Sequence, residues 1–307
     1  MRKVAMRRSS ALKKTSVCSL SVMTFAMAGL LVCSCSDRLH DVPDDEETGV
    51  PVTIRVASIE QVPFGPITKG AVLNEVCSRI NFAIYSGTGE KPNKIQKDQV
   101  ADNPDFGTLN IPLEEGTYTL VVLAHNGDGN PTMTVPAKTS FSNKKTAKVT
   151  DTFLYCSQLE VKKDMQPVNV ELERVVSKLE LNLTDDSIPE PVKKLQVDIN
   201  GASQSLNLYT GLGLNSNKIT EIIDVVPGNS QYGLYLFVRE GHSTMTVTVS
   251  ALDSLNQEYN KLVLENIPIE KNKITRCTGQ LFKKATYEAG MQVSINSDWS
   301  GTVEKQF

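Results

Sequence analysis

Apolar and polar residues alternate along most of this chain in short runs, and no long run has the spacing of a helix. Because successive side chains of a strand point to opposite faces, such runs predict strands with one buried and one solvent-facing side. Gly, Pro and Asn clusters separate the runs and predict turns. The pattern therefore predicts an all-β fold, whose clearest strands cover residues 51–58, 79–86, 118–125, 152–161, 168–183, 233–239 and 244–253.

One run, from Val168 to Leu183, is long for a single strand, and its apolar alternation changes phase at Val175–Val176. A change of phase moves the apolar side chains to the other face. We therefore expect two strands, or a bent strand that passes from one β-sandwich to the next. This predicts an N-terminal sandwich over residues 51–167 and a C-terminal sandwich over residues 168–307.

The N-terminus has the composition of a secretory signal. Its first fourteen residues contain six basic side chains and no acidic one, and an apolar segment follows. Val32, Cys33 and Ser34 then precede Cys35 in an order that resembles the bacterial lipobox. We predict a lipoprotein signal peptide over residues 1–34. An uncleaved membrane helix is the alternative, but the apolar stretch barely reaches the ~20 residues that a span needs.

The lipobox resemblance implies that Cys35 is the lipidation site, carrying a thioether-linked diacylglycerol and an amide-linked acyl chain such as palmitate. Each buried methylene contributes ~0.8 kcal/mol, so several chains hold a protein firmly in the outer membrane. Residues 35–50 are acidic, contain Pro43 and lack apolar periodicity, which predicts a flexible tether. An acidic segment at this position also resembles the surface-export signal of Bacteroidetes lipoproteins. That resemblance implies a protein that faces the cell exterior.

Charge and motif content narrow the function. Without residues 1–34 the chain has 26 basic and 35 acidic side chains, a net charge near −9, which argues against nucleic acid as a partner. No catalytic motif, zinc spacing or phosphate-binding loop occurs, so we predict no enzyme, no metal site and no cofactor, although a triad of distant residues stays open. We interpret His125 and His242 as solvated turn residues, and Cys77, Cys156 and Cys277 as small buried hydrophobes.

Taken in order, several segments of the mature chain resemble the fimbrillin-associated anchor (FimB-like) family of Bacteroidetes type V fimbriae. The residues that carry the resemblance are Asp105-Phe106-Gly107, Gly116-Thr117-Tyr118, Asp151-Thr152-Phe153, Leu172-Glu173-Arg174-Val175 and the segment NKITRCTGQLF, which begins at Asn272. The resemblance implies two tandem transthyretin-like Greek-key β-sandwiches. It also implies an anchor or minor subunit of a fimbria (pilus) that supports assembly and cell adhesion by strand docking to other fimbrial subunits.

Two other functions stay open. Subunits of such fimbrial stalks or tips lose their first strand to a trypsin-like protease and polymerise by donor-strand exchange. Arg55 and Lys69 are the candidate processing sites for that route, with Lys69 the more accessible in sequence. The other alternative is a glycan-binding surface lipoprotein. The sequence does not identify the host or bacterial surface ligand that an adhesive role would require.

Overall fold

The structure, a computed structural model, describes residues 49–59, 73–87, 92–141, 148–214, 218–282 and 292–296. Within these ranges the strands are β1 (Val50–Ile59), β2 (Arg79–Ser86), β3 (Asn93–Val100), β4 (Thr108–Leu113), β5 (Gly116–His125), β6 (Thr132–Val135), β7 (Lys138–Ser140), β8 (Thr152–Val161), β9 (Val168–Arg174), β10 (Val176–Leu183), β11 (Val192–Asn200), β12 (Ala202–Ser203), β13 (Ser205–Asn207), β14 (Leu212–Gly213), β15 (Ile219–Asp224), β16 (Gln231–Val238), β17 (Thr244–Asp253), β18 (Glu258–Pro268), β19 (Ile274–Gly279) and β20 (Gln292–Asn296). A single turn of helix, α1 (Leu73–Val76), lies between β1 and β2.

The predicted all-β fold is confirmed by this order of elements. The alternating burial along β10 and β17 shows why these segments form strands, since every second side chain faces a core. No helix in the described ranges is both long and apolar enough to cross a membrane.

The strands form four sheets. A seven-stranded sheet has the order β3-β2-β5-β8-β9-β1-β4, a five-stranded sheet has the order β12-β16-β10-β19-β20, and a four-stranded sheet has the order β15-β11-β17-β18. The fourth sheet, β14-β13-β7-β6, draws two strands from each half of the chain, and β7 and β13 pair through Thr139 and Leu206. This fourth sheet therefore links the two halves directly.

Three hydrophobic cores follow from this arrangement. One consists of residues of the first half, including Ile54 and Phe82, and one consists of residues of the second half, including Val197. The third core takes residues from both halves, and in it the rings of Phe141 and Phe237 lie with centroids 5.0 Å apart. Because full burial of a large apolar side chain contributes ~1.5–3 kcal/mol, this shared core stabilises the two halves together.

The long run at residues 168–183 is two strands, as its change of phase predicts. β9 ends at Arg174, β10 begins at Val176, and the two belong to different sheets. Both neighbours of the change, Val175 and Val176, are buried in the third core. The chain thus changes sheet where its buried side switches. The division into two sandwich domains at residue 168 stays a prediction.

Candidate functional site

The predicted attachment and processing residues lie mostly outside the described ranges. This holds for Cys35, for the tether except Gly49 and Val50, and for Lys69. Arg55 is described and lies within β1, where its backbone is opposite Thr108 of β4 on one side and Asn169 of β9 on the other. A protease binds an extended, unpaired segment, so pairing on both sides protects the peptide bond after Arg55 in the folded protein.

A bidentate ion pair lies where β9 gives way to β10. The Arg174 guanidinium donates through Nε to Asp151 Oδ1 at 2.7 Å and through Nη2 to Asp151 Oδ2 at 3.0 Å. It lies 4.8 Å from the centre of the Phe153 ring, and Nη1 donates to Asn272 Oδ1 at 3.3 Å. Only 8% of the Arg174 side chain is exposed. Arg174 therefore connects the start of β8, the end of β9 and the turn before β19.

Backbone contacts tie the same three places together. The amide of Val175 donates to the carbonyl of Thr152 at 3.0 Å, and the amide of Asn272 donates to the carbonyl of Val176 at 2.8 Å. Asn272 has φ +58°, a left-handed conformation that asparagine tolerates better than most residues. Segments that carry the family resemblance, at residues 151–153, 172–175 and from residue 272, thus meet at one junction.

Another of these motifs, which ends in Gly107, forms the turn before β4. Gly107 has φ +88°, its amide donates to Gln99 Oε1 at 2.8 Å, and its carbonyl accepts from the amide of Val56 at 2.8 Å. A side chain at Gly107 would also collide with Leu73. The turn therefore requires glycine and helps to hold β1 in its sheet.

His125 is buried, so its interpretation as a solvated turn residue is wrong. The amide of Gly127 donates to His125 Nδ1 at 3.0 Å, which makes Nδ1 an acceptor and leaves the proton on Nε2, 3.0 Å from Asn81 Oδ1. Burial, together with the positive charge of Arg79, lowers the pKa of His125 from 6.5 to about 4. A neutral imidazole held by two structural partners is a packing element, whereas His242 is exposed as expected.

The neighbouring loop of residues 126–131 is held by the same network. Asn81 Nδ2 donates to Asp98 Oδ1 at 2.7 Å and to Asn130 Oδ1 at 2.9 Å, and Asn130 donates back to Asp98 Oδ2 at 2.9 Å. The Arg79 guanidinium donates to the carbonyls of Gly127 and Asp128. These oxygens are occupied by protein donors, so the NGDGNP sequence fixes a loop. Among the described residues, no group of three or more His, Cys, Asp or Glu side chains could hold a metal ion.

The cysteines fit their predicted role as small core residues. Cys77 and Cys277 are buried, Cys156 is partly buried, and none of these three forms a disulfide. Burial raises the pKa of the Cys77 and Cys277 thiols to about 12 and that of Cys156 to about 11. Thiols with such pKa values are poor nucleophiles at neutral pH.

A groove of about 550 Å³ lies between the loop of residues 185–193 and the loop of residues 225–230. Its wall is largely apolar, with Ile188 and Val225 among the residues that form it. Asp185 closes one end and accepts backbone hydrogen bonds from Leu281 at 2.7 Å and Phe282 at 2.9 Å. The carboxylate of Asp185 is therefore structural, and the groove offers shape and apolar surface for a partner.

The free sheet edges are the other surfaces available for recognition. An edge strand has unpaired backbone N–H and C=O groups that can accept a further strand. Four edge strands have six or more residues. They are β3 and β4 in the seven-stranded sheet, and β15 and β18 in the sheet β15-β11-β17-β18. In the part of the chain that the structure describes, these edges and the groove are the candidate interaction site.

The described residues form an all-β body of open sheets, in which the polar side chains named above are held by hydrogen bonds and ion pairs within the protein. The chain belongs to DUF6562, a family of unknown function, whose family model matches residues 45–306. A search of curated proteins found no match.

Solved structures give the fold comparison. A DUF1812 protein from Bacteroides thetaiotaomicron VPI-5482, described as a candidate polysaccharide-binding protein, has a TM-score of 0.50 at 8% identity over 83% of this chain and 99% of its own. The fimbrial anchor protein Mfa2 from Porphyromonas gingivalis has a TM-score of 0.44 at 16% identity over 81% and 98%. A fimbrial assembly protein from Parabacteroides distasonis ATCC 8503 has a TM-score of 0.42 at 12% identity over 80% and 95%. The DUF1812 likeness concerns the fold alone.

Proposed function

We propose that this protein is a lipid-anchored, surface-exposed subunit of a fimbria, acting as its anchor or as an accessory subunit. The observation that carries the proposal is an all-β body with open sheet edges that follows a lipobox-like Cys35. Acyl chains on Cys35 hold the protein in the outer membrane, and a sheet edge binds the neighbouring subunit. The fimbrial setting comes from the resemblance of the ordered segments to the fimbrillin-associated anchor family.

The tether sets how far the body lies from the membrane. A flexible chain of fifteen residues has an r.m.s. reach of roughly 20 Å, at ~5–6 Å times the square root of its length. A tether of this length, if it is flexible as its sequence predicts, would keep the body close to the lipid surface, where an anchor at the base of a filament is needed. The acidic residues of the tether keep it solvated and away from anionic headgroups.

An anchor that keeps its lipid would also keep its first strand. In the described structure β1 lies between β4 and β9, and Val52 and Ile54 are buried in the core of the first half. Loss of β1 would remove these side chains and leave both neighbouring strands unpaired. A subunit that keeps β1 and its lipid can end a filament at the membrane.

A deletion strain complemented with variants tests this function. Cys35→Ser removes the lipidation site, and Cys156→Ser is the matched control because it changes a cysteine within the folded body. We expect wild type and Cys156→Ser to restore cell-attached fimbriae in electron micrographs. We expect Cys35→Ser to release fimbriae into the medium and to abolish the acylated form of the protein in the outer membrane. Unchanged fimbriae in the deletion strain and in Cys35→Ser would contradict the proposal.

A further inference from the structure

The four long edge strands differ in how they are protected against addition of another strand. Edges are commonly blocked by charged side chains, above all lysine, by proline or by irregular pairing, and the charges of β15 are both acidic. The protecting features of the other three are Lys94 and Lys97 in β3, Pro112 in β4, and Lys261 with two shifts of register in β18. β15 contains neither lysine nor proline, and its pairing with β11 is regular over all six residues.

The backbone of β15 shows which groups face outward. The amide of Val225 donates to the carbonyl of Lys193 at 2.8 Å, so the residues of β15 that bond to β11 are Ile219, Glu221 and Ile223, in phase with Val225. Because bonding alternates along an antiparallel pair, the N–H and C=O groups of the other residues point away from β11. Those residues are Thr220, Ile222 and Asp224, and all three side chains are exposed. Among the described residues, no strand pairs with this row of backbone groups on β15.

The side chains of β15 select a partner by charge. Ile222, in the middle, is 54% exposed, and the charged residues of the strand are both acidic. Glu221 pairs with Lys148 at 3.1 Å, whereas Asp224 takes part in no ion pair among the described residues. An incoming strand gains most by placing an apolar side chain beside Ile222 and Lys or Arg beside Asp224. A second copy of β15 would instead bring two acidic edges together.

The groove between the loops of residues 185–193 and 225–230 begins where β15 ends. Val225, the residue directly after β15, forms part of its wall. Asp186 and Glu190 are exposed at the groove, and neither takes part in an ion pair in the described part of the chain. The Lys193 ammonium donates to the carbonyl of Glu190 at 2.7 Å. A volume of about 550 Å³ with a largely apolar wall accommodates side chains of a partner that extends beyond the strand.

We infer that β15 is the edge at which a partner strand adds, and that this strand places an apolar residue beside Ile222 and a basic residue two positions away, beside Asp224, before it continues into the groove. The inference rests on the proposed function for the identity of the partner as a fimbrial subunit. It deepens that function by assigning one edge among several. The main-chain groups supply the strand pairing, and the acidic side chains supply the selection.

Paired lysine substitutions on the two edges of one sheet test this assignment. Ile222→Lys adds a basic side chain to β15, and Val263→Lys adds the same side chain to β18, where Val263 is 49% exposed. Asp224→Lys is a second variant of β15. Full-length protein extracted in detergent from its native membrane is mixed with fimbriae from the deletion strain, and co-sedimentation is measured at low and at high salt. Thermal unfolding verifies that each variant is folded.

We expect Ile222→Lys and Asp224→Lys to weaken co-sedimentation at least tenfold and Val263→Lys to change it less than twofold. We also expect wild-type binding to weaken with salt and to slow hydrogen exchange at the amides of Thr220, Ile222 and Asp224. Equal binding by wild type and both β15 variants would overturn the assignment of the edge and leave the fimbrial function standing. No binding by wild type would overturn both.

Discussion

Arg174 and Asp151 form a bidentate ion pair across 23 residues of sequence, at 2.7 and 3.0 Å, in which the arginine is buried and the aspartate is partly buried. The pair lies where the chain leaves the seven-stranded sheet for the five-stranded one. Through Asn272 it also reaches the turn before β19. The Arg174 guanidinium contacts Asp151, Phe153 and Asn272, and these contacts set the path of the chain at this junction.

Removal of one member of the pair is expected to destabilise the whole fold. Asp151→Asn removes the carboxylate that faces the buried Arg174 guanidinium, which costs about 3 kcal/mol of unfolding free energy. Urea denaturation at pH 7 measures the change. The control is Lys162→Met, because the Lys162–Glu160 pair is exposed and 3.8 Å long, and removal of such a pair costs less than about 1 kcal/mol. Equal effects of the two variants would contradict the structural role of Arg174.

The buried His125 predicts a loss of stability in mild acid. The unfolded chain binds a proton at His125 near pH 6.5, whereas the folded protein binds it only near pH 4, so a fall in pH through this window favours unfolding. At 1.36 kcal/mol for each pH unit, we expect a loss of about 2–3 kcal/mol between pH 7 and pH 4.5. Urea denaturation at several pH values measures it.

A pair of histidine variants isolates this contribution. His125→Gln removes the titrating group, so we expect a lower stability at pH 7 but a much weaker dependence on pH between 6.5 and 4.5. His242→Gln should retain the wild-type dependence, because His242 is exposed. A wild-type dependence in His125→Gln would show that other groups titrate in this range.

The thiols of the folded protein should react slowly. Burial raises the pKa of Cys77, Cys156 and Cys277 far above neutral pH, so the thiolate fraction is very small at pH 8. With iodoacetamide we expect Cys156 to be modified first, because it is only partly buried, and Cys77 and Cys277 only after addition of urea. Peptide mass spectrometry measures the order. Rapid modification of Cys77 without urea would contradict its described environment.

Arg55 should resist trypsin while the protein is folded. Its strand is paired on both sides, so cleavage after Arg55 requires β1 to leave the sheet. We expect earlier cleavage after Lys163, which is exposed in the turn between β8 and β9. A time course with mass mapping gives the order, and early appearance of a fragment that begins at Val56 would contradict it.

The sequence predicted strands well where at least one face is buried. The predicted ranges 79–86, 152–161 and 244–253 coincide with β2, β8 and β17. β3 was missed because it is an edge strand with most of its side chains exposed, so its sequence, NKIQKDQV, has no apolar alternation. The strands of the fourth sheet, β14-β13-β7-β6, are two to four residues long and too short for an apolar alternation to show.

The contacts of Arg174 and His125 and the free edge of β15 were less predictable, because they depend on distant parts of the chain. Asn272 lies 98 residues from Arg174, and no local spacing connects them. His125 was misread because adjacent turn residues suggested exposure, whereas Phe141 packs edge-on against the ring at 6.1 Å. The free backbone groups of β15 depend on which strand ends the sheet, and that order is a property of the whole fold.

The most direct test of the central claim is the intact mass and N-terminal peptide map of the protein purified from native fimbriae and outer membrane. The account predicts a chain that begins at an acylated Cys35 and contains β1. A chain without lipid that begins at Val56 or Gly70 would contradict it, since the protein would then be a processed, polymerising subunit.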